Sequence, residues 1–130
     1  MRRQQTLSRS IACSGIGLHT AQPATLTLHP APPDTGIVFV RPGAQPVFFA
    51  ATIANIVETE LCTALRSDGV MVQTVEHVLS ALAGLEVDNA YVELDAGEVP
   101  VMDGSAGPFV RLIRAAGIQP QDRRQPFLKI

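Results

Sequence analysis

Apolar and polar residues alternate in short runs through the first half of the chain and then change period, and this change predicts the order of elements. Leu7, Ile11 and Cys13 fall at even spacing between Gln5 and Ser14, which suits a strand, and Gly15 and Gly17 interrupt it. Ala24 to His29 alternates cleanly, as a half-buried strand does. Pro30 to Gly36 is a turn by composition, because proline fixes φ and glycine permits positive φ. Ile37 to Arg41 is a third strand, closed by Pro42-Gly43 and followed by a looser stretch through Pro46 and Phe49. Leu61 to Arg66 and Val70 to Gln73 bracket Ser67-Asp68-Gly69, a hairpin signal.

The period then lengthens. Val75, Val78, Leu79 and Leu82 recur at the spacing of one helix face, with Thr74 placed to cap the start and Gly84 to end it. Ala90 to Leu94 returns to alternation. A second helix carries Phe109, Leu112, Ile113 and Ala116 on one face, with Ser105 as cap, Pro108 in the first turn and Gly117 beyond the end. Strands with one apolar face and helices with one apolar stripe bury each other in layers. The expected fold is an α+β two-layer sandwich, a mostly antiparallel sheet packed against two helices, with a small β-hairpin insert. The expected division is one domain over residues 1–118. Residues 119–130 follow as a linker, Gln119 to Pro126, and the opening of a truncated strand, Phe127 to Ile130.

Composition narrows the function. A chain of 130 residues with 46% hydrophobic and 17% charged residues has room for one globular core. A net charge of −2 argues against a broad nucleic-acid or anionic-membrane footprint. Cys13 and Cys62 lie far apart and form no CxxC pair, so a reducing compartment is expected. Polar Gln4 and Gln5 follow Met1-Arg2-Arg3 where a secretory leader would turn apolar. No segment approaches the roughly eighteen consecutive apolar residues of a membrane span. These features together predict a cytoplasmic protein.

Three stretches could carry chemistry. Glu76-His77 stands where hairpin becomes helix; imidazole is a common metal ligand and a neighbouring carboxylate can take a proton from water. Taken alone, the pair reads more plainly as a surface Glu favoured by the helix dipole beside a hydrogen-bonded His. Gly15-Ile16-Gly17-Leu18-His19-Thr20 permits close backbone approach but lacks the third glycine of a dinucleotide fingerprint, and a tight turn explains it equally. Met102 to Phe109 reads as a helix cap with tightly packed glycines, and Glu98 and Asp103 as buried partners of that turn. Cys62, in the hairpin, suits a small buried hydrophobe.

In combination the motifs are far more specific. Ser-Gly-Ile-Gly-Leu-His-Thr at 14–20, Glu-Leu-Cys-Thr-Ala-Leu at 60–65 and Thr-Val-Glu-His-Val-Leu-Ser-Ala-Leu-Ala-Gly-Leu at 74–85 occur in that order. Asp-Asn at 88–89 and Val-Pro-Val-Met-Asp-Gly-Ser-Ala-Gly-Pro-Phe at 99–109 follow. This set, covering essentially the whole chain, closely resembles the first domain of the UDP-3-O-acyl-N-acetylglucosamine deacetylases. The resemblance implies a Zn2+-dependent amide hydrolase that removes the N-acetyl group of a UDP-sugar acyl substrate in lipid A synthesis. It implies Glu76 as general base and His77 as one zinc ligand, with Leu18, His19 and Cys62 near the substrate. It also implies a second domain carrying the other ligands, a His and an Asp, and a further catalytic His. A catalytic zinc generally needs three protein ligands, so the chain by itself is expected to be inactive. The competing expectation is a free-standing binding or partner-pairing module that kept the fold. A nucleic-acid-binding sandwich is disfavoured by the acidic balance.

Overall fold

A computed structural model describes residues 2–59, 62–67 and 69–125. The strands are β1 (Arg3–Leu7), β2 (Ile11–Ile16), β3 (Pro23–Pro30), β4 (Ile37–Arg41), β5 (Val47–Ala50), β6 (Ile56–Glu58), β7 (Thr63–Ser67), β8 (Val70–Gln73), β9 (Ala90–Leu94) and β10 (Ile118–Arg124). The helices are α1 (Glu76–Gly84) and α2 (Gly107–Ala116). A five-stranded sheet runs in the order β2-β3-β9-β4-β5, antiparallel except where β4 lies parallel to β9.

Alternation along β3 and β9 gives this sheet one apolar face. The register sets Leu26 opposite Leu94 and Leu28 opposite Val92, all fully buried. Phe39 and Phe49 continue that layer onto β4 and β5. Val78, Ala81 and Leu82 of α1 and Phe109, Ile113 and Ala116 of α2 join the same cluster. Each large apolar side chain so buried contributes about 1.5–3 kcal/mol. The expected α+β sandwich is therefore the fold observed. No helix among the described residues is long and apolar enough to cross a membrane.

Several local expectations are corrected. The stretch from Gln5 to Ser14 is two strands, β1 and β2, because the chain turns at Ser8 to Ser10. The looser stretch after Pro46 contains β5, and the hairpin of β7 and β8 gains a third strand, β6. Residues expected as linker form most of β10, which pairs antiparallel with β1. Phe127 to Ile130 lie outside the described residues. Neither expected cap closes its helix as foreseen: α1 is preceded by Val75 and α2 by Ala106, neither donating or accepting through its side chain. Ser105 stands one residue earlier, and its hydroxyl accepts from the Gly107 N–H at 3.2 Å. Gly117 does end α2 in the left-handed region, at φ 84°. After α1 that conformation falls on Glu86 instead of Gly84.

A polar knot fastens β1 to the start of β9. Asn89, 1% exposed, donates to the side-chain oxygens of Gln4 and Gln121 and accepts from the Gly36 N–H. Both Asp88 oxygens accept from Arg2, each at 2.7 Å, and the Gln5 N–H adds a third bond. Burial opposes ionisation of Asp88, but the Arg2 and Gln5 hydrogen bonds and the Arg2 charge outweigh it, holding the carboxyl below its ordinary 3.8. A depressed carboxylate stabilises the fold above its unfolded value, and that contribution is lost as pH falls through the lowered folded value. At pH 7 Asp88→Asn should cost about 1–2 kcal/mol, since Arg2 is partly solvent-screened. Urea unfolding of both proteins at several pH values should show the deficit shrinking as the pH falls through and below 3.8.

Candidate active site

The chain turns sharply between β8 and α1. Thr74 lies in the left-handed region at φ 61°, a conformation that costs a β-branched residue of order 1–2 kcal/mol. Backbone bonds hold it from both sides. The Gln73 N–H donates to Gly97 O at 2.8 Å, the Val99 N–H to Gln73 O at 3.1 Å, and the Val75 N–H to Thr63 O at 3.1 Å. The turn presents Glu76 as the first residue of α1, where the helix dipole favours a negative charge.

One Glu76 oxygen is fixed and the other is not. Oε2 accepts from the Thr63 N–H at 3.1 Å, whereas Oε1 is buried without a hydrogen-bond partner. A buried carboxylate oxygen left unpaired by the described residues is costly, and a catalytic role, a water or an ion is what ordinarily accounts for one. His77, half-buried, follows at once. Cys62 is adjacent to Thr63 and half-buried, its carbonyl accepting from Thr59 across a short turn. The Thr63 N–H thus ties the strand that follows Cys62 to the head of α1, where Glu76 and His77 adjoin in sequence.

The glycine-rich stretch reaches the same junction through Glu98. At Gly17 to Ala21 the chain folds back, with the Ala21 N–H donating to Gly17 O and Ala21 at φ 57°. Leu18 is 60% exposed and the His19 side chain is also in solvent. Their backbone is anchored: Glu98 Oε1 accepts from the N–H groups of His19 at 2.9 Å and Thr20 at 2.8 Å. Oε2 of the same carboxylate accepts from the Thr74 hydroxyl at 2.5 Å. Glu98 is 0% exposed, yet its carboxyl is held below the ordinary range. Burial pushes the value up, and the bonds from Thr74, Thr20 and His19 more than reverse that. Paired bridges between Gln73 and Glu98 and between Gly17 and Pro100 seal the segment in place.

Thr74 and Glu98 are the residues that sequence reasoning placed poorly. Thr74 was expected as a cap; its hydroxyl turns to Glu98 instead. Glu98 was expected, with Asp103, as a buried partner of the turn before α2; it is buried, but its partners are Thr74 and the His19 and Thr20 amides. Asp103 is exposed and bonds only locally, accepting from the Ser105 hydroxyl at 2.6 Å and the Ser105 N–H at 3.0 Å. One signal was available: Glu98 directly precedes the apolar run from Val99 to Met102 and follows Gly97, a setting that suits a buried, partnered acid. His29 is not part of the site. It hydrogen-bonds Ser10 and Glu93 across β3 and β9.

Among the described residues no three His, Cys, Asp or Glu side chains stand close enough to hold a metal ion. His77 and the Glu76 carboxylate are of the donor types that a metal ion and its bound water use. A groove of about 460 Å³ on the later turns of α1, lined by Leu79, Leu82, Ala83 and Asp88, shares none of these residues.

Comparison with known proteins agrees with this picture. A family model described as LpxC: UDP-3-O-acyl N-acetylglycosamine deacetylase matches residues 4–130. The chain is 55% identical to the UDP-3-O-acyl-N-acetylglucosamine deacetylases of Chromohalobacter salexigens and Pseudomonas entomophila, and 53% identical to that of Hahella chejuensis. Each match covers 100% of this chain and 43% of the relative, so the chain spans less than half the length of these proteins.

Gly17 tests the packing of the site. A Cβ there would overlap the Glu98 carboxylate and come within 3.0 Å of Glu98 Cβ. Gly17→Ala should therefore destabilise the protein by about 1–3 kcal/mol, read as a lowered urea midpoint.

Proposed function

Because the chain belongs to the UDP-3-O-acyl N-acetylglycosamine deacetylase family, matched over residues 4–130, we propose that it forms the amino-terminal half of such an enzyme. The reaction is hydrolysis of the acetamide of UDP-3-O-acyl-N-acetylglucosamine, an early step towards lipid A, carried out in the cytoplasm. The observation that carries this reading is the Glu76 carboxylate: one oxygen held by the Thr63 N–H, the other buried and unpaired, beside His77 at the head of α1.

Glu76 Oε1 is the base. It accepts a proton from the water that attacks the acetyl carbonyl carbon, and it returns a proton to the sugar nitrogen as the C–N bond breaks, leaving acetate and a free amine. The Thr63 N–H holds the carboxylate in register while this happens. His77 supplies one ligand to a zinc ion, which when bound acidifies water and polarises the carbonyl. The remaining ligands would come from the part of a protein of the relatives' length that this chain does not span. Leu18, His19 and Cys62 would lie near the substrate.

In a protein of the relatives' full length carrying this chain, Glu76→Gln should lower kcat by about 10²–10⁴-fold with little change in KM. His77→Ala should lower bound zinc as well as turnover. Residues 1–130 alone should release no acetate from the substrate. Activity within tenfold of wild type in Glu76→Gln, measured as acetate release, would exclude the role given to Glu76.

A further inference from the structure

Glu98 is an expensive residue to bury. Moving an ionised carboxylate out of water costs several kcal/mol even after relaxation, and an apolar side chain of similar volume would ordinarily pack as well or better. This carboxylate is 0% exposed and ionised all the same. What it receives in exchange is specific. Oε1 takes two successive backbone N–H groups, from His19 and Thr20, and Oε2 takes the Thr74 hydroxyl. Gly17 has no Cβ, which is what lets the loop backbone close onto the acid.

The groups it holds are not arbitrary. Thr74 lies two residues before Glu76 and three before His77, in the left-handed conformation that sets the direction in which α1 begins. His19 and Thr20 belong to the loop that also displays Leu18. The two segments meet through one carboxylate, although more than fifty residues separate them in the chain.

We propose that Glu98 is a positioning residue: through Thr74 on one oxygen and the His19 and Thr20 amides on the other, it sets the substrate loop and the head of α1 in one fixed relation. The proposal rests on the deacetylase reading for its kinetic consequence, and on the hydrogen-bond geometry alone for its structural one. A displacement on the order of 1 Å at the reacting groups can cost about 100-fold in rate. The two arms are separable. Glu98→Gln keeps an oxygen for the two amides but puts an NH2 donor against Thr74, so the threonine hydroxyl loses its acceptor. Thr74→Val removes that hydroxyl at equal volume, and Thr74→Ser retains it.

The test uses the full-length protein, with acetate release from UDP-3-O-acyl-N-acetylglucosamine, thermal unfolding, and amide NMR of labelled protein. Thr74→Val and Glu98→Gln should each lower kcat about ten- to a hundredfold with KM within about threefold. Both should stay folded at the assay temperature, and Thr74→Ser should return kcat to within about threefold of wild type. In the spectra of Thr74→Val, the Glu76 and His77 amides should move while those of His19 and Thr20 stay. The proposal is overturned if folded Glu98→Gln and Thr74→Val keep kcat within twofold of wild type. It is equally overturned if Ser restores no more than Val, or if both variants unfold, since the contact then serves stability alone. If wild type releases no acetate, the deacetylase reading fails, and positioning is decided by the spectra: unmoved Glu76 and His77 amides refute it.

Discussion

A single buried negative charge organises the functional end of this molecule. The Glu98 carboxylate has no solvent to ionise into, so its charge is carried by hydrogen bonds from Thr74, Thr20 and His19. Those donors come from two segments far apart in the chain, a glycine-rich loop and a strained turn. Burying an acid makes the arrangement selective, because any other placement of loop or turn leaves a charge without partners. An apolar plug at the same position would tolerate many placements.

The rest of the architecture exists to present Glu98 at that point. The segment from Gly97 to Pro100 is laid against Gln73 and Gly17 by backbone pairing and sits downstream of β9, the central strand of the sheet. The position of β9 is set at its other end by the Asn89 knot, which ties it to β1, the Gly36 turn and β10. Between these ends the one-sided alternation of β3 and β9 supplies the surface on which α1 and α2 are packed. Polar bonds fix the two ends, and apolar burial, which has no directional preference, fills the space between.

The candidate residues gather at the head of α1. α1 carries Glu76 and His77 in its first turn. No other metal-binding side chains among the described residues are close enough to join them. One carboxylate oxygen is left buried and unpaired. The relatives are more than twice as long as this chain.

Local patterns in the sequence were sufficient for the layers. Alternation at Ala24 to His29 and Ala90 to Leu94, and helical spacing at Val75 to Leu82 and Phe109 to Ala116, determined which faces are buried, because side-chain period follows directly from backbone geometry. The motif order was enough to single out Glu76 and His77 as candidates and to identify the family. The pairing of β1 with β10 was not legible, since polar strands such as Ile118–Arg124 carry no apolar alternation and are held by a partner more than a hundred residues away. Nor were the roles of Thr74 and Glu98. A threonine before a helix looks like a cap, and only the arrival of a distant carboxylate turns its hydroxyl away. Short-range periodicity determined the elements; which distant polar groups meet in the interior was decided by the tertiary structure, because a buried hydrogen bond depends on three-dimensional proximity and not on spacing along the chain.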